Sequence, residues 1–133
     1  MSRALPLVDA GNEHFWTSGA GGQLRVLRCG SCGFWIHPPA PVCRRCTSRC
    51  VAPETVSGRG VVRTFTINHH AWRPDMNVPF AIASIELVEQ PGLYLTSNVV
   101  DCDPGEVHVG MAVEVSFMAV EDLWLPLFAP VTH

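Results

Sequence analysis

Four cysteines in two tight pairs constrain this chain more than any other feature: Cys29-x2-Cys32, then ten residues, then Cys43-x2-Cys46. A C-x2-C turn sets two thiolates on one side of a knuckle. Two facing knuckles make a tetrahedral four-sulfur cage, the arrangement Zn2+ prefers. Zinc is the first choice; iron takes the same four ligands in a rubredoxin-like site and is the second. Gly30 and Gly33 relieve the backbone of the first knuckle. The competing readings are two disulfides or buried free thiols. Residues 1–10 carry one arginine, Arg3, and no long apolar run, which reads as a chain without a secretory leader. A cytosolic chain keeps its thiols reduced, which favours a metal over disulfides. Four thiolates fill a tetrahedral ion and leave no position for water or substrate, so the expected metal is structural. Cys50 follows Cys46 at x3 spacing and is read as outside the ligand set, and His37 as a packing or surface residue.

A length of 133 residues with 47% hydrophobic content suffices for one core, or for a modest core plus a metal-stapled module. All nine basic residues are arginine, and the formal net charge is −3. Without lysine there is no Schiff-base lysine, no P-loop lysine and no lysine general base. Neither a G-x-S-x-G elbow nor a G-x-G-x-x-G loop occurs. No apolar run approaches the ~18 residues of a membrane span, and a cytoplasmic protein is expected. Arg25, Arg28, Arg44, Arg45 and Arg49 crowd the cysteines. They offset the about −2 charge of a four-thiolate zinc site, or else face phosphates. Beyond residue 50, three arginines stand against ten acidic residues, which disfavours a nucleic-acid module.

Along the chain, residues 8–18 predict a short amphipathic helix ended by "GAGG" at 19–22. Residues 23–29 alternate as a strand entering the first knuckle, and 34–41 predict a strand running into a proline-stiffened loop. This is the outline of a zinc ribbon. Apolar, β-branched segments then recur at 60–68, 80–87, 92–100, 112–120 and 123–131, after a short strand near 51–56. "DCDPGEVHVG" at 101–110 interrupts them with one helical turn. The expected architecture is mainly β: an N-terminal helical segment (1–22), a rubredoxin-like ribbon (23–50) and a five-stranded OB-fold barrel (51–133).

The order of "FW", "RCGSCG", a proline-rich finger, "PVCRRC", "VSGRGVVRTFT" and "NVVDCDPGEVHVGMAVEVSF" resembles the zinc-ribbon plus OB-fold proteins called domain of unknown function thirty-five, over nearly the whole chain. Arg44 replaces that family's usual proline between the last two cysteines, which leaves ligation untouched. The resemblance implies an accessory subunit beside a thiolase-like partner: a thiolase, a hydroxymethylglutaryl-CoA synthase or a lipid-transfer-protein-type aldolase. The lean is toward retro-aldol cleavage of an acyl-CoA, steroid side chains included, in a two-plus-two heterotetramer whose partner supplies the catalytic groups. Metal ligands are expected at Cys29, Cys32, Cys43 and Cys46. Partner or CoA contacts are expected at Phe15, Trp16, Arg44, Arg45, His69, His70, Trp72 and Arg73. Loop-borne Trp and Arg are residue types that anchor interfaces. Cys102 reads as a small buried residue beside a turn.

Overall fold

The computed structural model describes residues 12–70 and 78–131. A five-residue helix α1 (Glu13–Thr17) leads into a 3-10 turn (Ser18–Gly21). Eight strands follow among the described residues: β1 (Leu24–Cys29), β2 (Trp35–Ile36), β3 (Val51–Val56), β4 (Arg59–Asn68), β5 (Phe80–Leu87), β6 (Tyr94–Val99), β7 (Ala112–Val120) and β8 (Leu123–Pro130). A second 3-10 turn, Pro104–Glu106, lies between β6 and β7, where the sequence predicts a helical turn. Asp103 caps it by accepting the Gly105 N–H.

The strands form two sheets. β2, β1 and β3 make a small antiparallel sheet carrying the cysteine knuckles, and β4-β5-β6-β8-β7 closes into a barrel. Closure comes from the antiparallel pairing of β4 with β7 and from a single parallel bridge, Val99 to Phe128, between β6 and β8. Five strands in this order make an OB-fold. β3, counted with the barrel segment in the sequence, instead pairs along its whole length with β1. Its composition hides this, because residues 52–55 are all exposed and show no buried face.

The barrel strands alternate as a half-buried sheet must. In β5 each second residue, from Ala81 to Leu87, points inward. The core joins both sheets: Leu24, Val26, Trp35 and Val56 from the ribbon side pack in one cluster with Val62, Ile85, Leu95, Val113 and Phe128 from the barrel, and Phe15 of α1 completes it. The linker "SGRG" makes this junction. Gly58 holds φ +81 against Val115, and a Cβ on Gly60 would lie 2.6 Å from Ile85 Cγ2 and 2.8 Å from the Glu86 carbonyl oxygen.

The expected helix reaches only Thr17. Gly19 is buried against Phe117 and Trp124, so "GAGG" carries the chain on as a tight turn before Gly22 ends it at φ +73. Within 34–41 the strand is Trp35–Ile36 and the rest is the expected loop, since prolines 38, 39 and 41 lack donors for a ladder.

Candidate metal centre and its surroundings

Two knuckles of the same plan face each other. In the first, the Gly33 N–H donates to the Cys29 carbonyl (2.9 Å). In the second, Thr47 N–H donates to the Cys43 carbonyl (2.8 Å). Both closing residues have positive φ, +80 at Gly33 and +64 at Thr47. Gly30 is needed for a different reason: its N–H meets the Cys50 carbonyl at 2.6 Å, and a Cβ would press on that oxygen. Ser31 and Ser48 hydroxyls bridge the knuckles at 2.8 Å.

The Sγ atoms of Cys29, Cys32, Cys43 and Cys46 all lie within 4.8 Å of one another. Cys29–Cys46 is 3.5 Å and Cys32–Cys43 is 3.7 Å. A tetrahedron with metal–sulfur bonds of about 2.3 Å has S···S edges of about 3.8 Å, so the donor set fits a four-thiolate ion. Cys50 is not in the cluster. Cys29 and Cys43 are buried; Cys32 and Cys46 face solvent. The Cys32 amide, followed by that of Ser31, holds the Cys29 thiol down to about 6. Cys46 receives the Ser48 amide, which favours its thiolate, yet the neighbouring thiols Cys29 and Cys32 push it up to about 12. Thiols this close cannot all ionise without a cation among them. Such an ion would hold the two knuckles together, with no open position for chemistry.

Three of the ribbon's arginines lie against its aromatic rings. Arg28 lies 4.6 Å over the Trp35 ring and donates from Nε to the Gly33 carbonyl. Arg44 and Arg45, both exposed, lie 5.3 and 5.9 Å from the centre of Phe34. Residues 23–50 contain no Asp or Glu, so the ribbon is basic while the barrel is acidic.

The remaining expected site residues are spread out. Phe15, expected as an outward anchor, is only 7% exposed. It stacks on His37 (4.8 Å) and edge-on against Trp16, so its surface is used inside the molecule. Trp16 is half-buried. His69 and His70 are exposed beyond the end of β4, whose ten residues put them about 30 Å of strand from the linker. Trp72 and Arg73 lie outside the described residues. His37 is held down to about 4 by burial, and secondarily by His14. Cys102 is half-buried and its thiol is pushed up by burial, then by Glu106 and the flanking aspartates. The sequence reading missed Gln90: its side chain binds both backbone groups of Trp35, and "EQPG" signals only a turn.

A cysteine cage on a small sheet, joined through one core to an OB barrel, defines the class: a zinc-ribbon/OB-fold protein. Comparison with known proteins places it further. Residues 16–51 match the ChsH2 rubredoxin-like zinc ribbon domain, and residues 53–118 match the ChsH2 C-terminal OB-fold domain. A "DUF35 domain-containing scaffold protein" of Methanocaldococcus jannaschii is 35% identical over 72% of this chain and 68% of its own. The chain belongs to the DUF35 family. The "3-oxo-4,17-pregnadiene-20-carboxyl-CoA hydratase alpha subunit" of Mycobacterium tuberculosis is 32% identical over 94% of this chain. The chain spans only 39–40% of the length of the hydratase alpha subunits it matches. A solved structure titled "Ltp2-ChsH2(DUF35) aldolase" superposes with a TM-score of 0.85 at 29% identity, over 95% of this chain and 98% of that one. Among the described residues, no helix is long and apolar enough to cross a membrane.

Proposed function

We propose that this chain is the accessory subunit of a thiolase-like acyl-CoA enzyme, a lipid-transfer-protein-type aldolase that cleaves a carbon–carbon bond in a bulky, steroid-like CoA thioester. The observation that carries this reading is the end-to-end superposition, at a TM-score of 0.85, on a chain of the solved Ltp2-ChsH2(DUF35) aldolase. Its cage holds zinc through Cys29, Cys32, Cys43 and Cys46 and serves structure alone. The partner brings the catalytic groups, and two copies of each chain assemble. Arg44 and Arg45 on the basic ribbon suit the phosphates of CoA. Trp16, Trp72 and Arg73, with His69 and His70, are the side chains proposed to meet partner or substrate.

Co-expression with a tagged thiolase-like protein tests this. The chain is expected to co-elute, and alanine at Trp16 or Trp72 to weaken the association by about tenfold or more. A chain that never associates removes the reading; association untouched by either substitution removes these anchors. The hydratase alpha subunits support a second reading, the same module serving an acyl-CoA hydratase. Capture by a hydratase subunit and not by the thiolase-like protein favours it.

A further inference from the structure

The barrel turn between β5 and β6, residues 88–92, reaches two other parts of the chain, the linker at 57–60 and β2. Val88 N–H donates to the Arg59 carbonyl at 3.1 Å. Glu89 Oε2 accepts the Ser57 N–H at 2.8 Å. Gln90 Oε1 accepts the Trp35 N–H at 2.9 Å, and Gln90 Nε2 donates to the Trp35 carbonyl at 3.0 Å. The primary amide thus does for Trp35 what a paired strand's peptide would do. Trp35 needs it: the residue is buried, and β2 is a two-residue strand with β1 as its partner in the ladder. An unpaired N–H and C=O at a buried edge is costly.

Trp35 is also three residues past Cys32. Cys29 N–H donates to the Phe34 carbonyl at 2.8 Å, and Arg28 ties the Gly33 carbonyl (3.0 Å) to the face of the Trp35 ring. An unbroken set of bonds therefore runs from the first knuckle, through β2, to the barrel turn.

We propose that Gln90 is a positioning residue that couples metal occupancy of the cysteine cage to the order of the barrel turn at 88–92. With the knuckle closed around its ion, β2 presents Trp35 to Gln90 and the turn is held. With the ion removed, β2 loosens and the turn is released while the barrel stays folded. Coupling is reciprocal, so Gln90 also contributes to metal affinity.

Amide hydrogen exchange by NMR, on the full chain loaded with zinc and after chelation, reads both states. In the wild type, chelation is expected to speed exchange at Ser57 and Leu93 roughly tenfold or more, with Val62 and Val100 in the barrel changing little. In Gln90→Ala these two amides exchange fast already in the zinc form, and chelation adds nothing. Gln90→Glu, which keeps the acceptor, falls between. In competition with a chelator, Gln90→Ala binds zinc roughly fivefold more weakly. Four results would overturn the proposal: metal-insensitive Ser57 and Leu93 in the wild type, loss of Val62 and Val100 together with them, a wild-type response in Gln90→Ala, or unchanged zinc affinity.

Discussion

At Thr47 the second knuckle holds a β-branched residue at φ +64, where the first has Gly33. The left-handed region costs a side-chain-bearing residue about 1–2 kcal/mol, and glycine's extra freedom in the unfolded chain returns part of that. Thr47→Gly is therefore expected to stabilise the metal-loaded protein by up to ~1 kcal/mol, read as a raised denaturant midpoint; a lowered midpoint contradicts the account. Cys43 is fully buried, so Cys43→Ser is expected to abolish stoichiometric metal and to cost the knuckles their order while the barrel stays folded. Cys50→Ser should leave one metal per chain by elemental analysis. The reverse pattern would mean that the ligands are misassigned. His37 carries a pH signature. Its folded pKa, about 4, lies below the ordinary 6.5, so the unfolded chain takes up a proton that the folded chain refuses. The stabilisation is complete above pH 6.5, fades as pH falls and is lost by about pH 4, at most ~3 kcal/mol in all. Wild type should lose more stability than His37→Phe between about pH 7 and pH 4.5 in thermal melts; equal losses contradict it. The cage was legible in the sequence because ligand spacing is local. The stack of His37 on Phe15 and the grip of Gln90 on Trp35 were not, since each joins residues far apart in the chain.

Among the elements, the barrel strands were read most closely: β5 and β7 occupy 80–87 and 112–120, as alternation and turn residues predict. Those signals mark where a strand lies, not which sheet it joins, and β3 shows the difference. Its partner is fixed by the return of the finger, which brings Val51 opposite Cys29. In α1, Phe15 and Trp16 are adjacent, so a narrow buried stripe takes one of them and not both. The structure chooses Phe15, at 7% exposure. Phe15→Ala is expected to cost about 3 kcal/mol or more and Trp16→Ala clearly less, measured by urea denaturation; equal costs would mean that the core is misplaced. At the linker, a methyl on Gly60 meets Ile85 and the Glu86 backbone. Gly60→Ala should cost about 1–3 kcal/mol, whereas alanine at Gly21, with nothing within 4 Å, should be nearly neutral.

The whole molecule is divided by charge: a ribbon with five arginines and no acidic residue, and a segment beyond residue 50 with three arginines against ten acids. One shared core and the turn at 88–92 bind the two parts together, so the ribbon is held as an arm against the barrel. A four-thiolate ion in the cage would keep no open position, and the sequence has no lysine nucleophile, which suits a chain that shapes a site for another protein. The central claim is that dependence on a partner. It is tested most directly by the cleavage rate of a bulky acyl-CoA thioester by the thiolase-like partner as this chain is titrated in. The account predicts negligible turnover by either protein alone and a rate that saturates at one chain per partner subunit. A partner rate indifferent to the added chain, or turnover by this chain alone in proportion to its concentration, would contradict it.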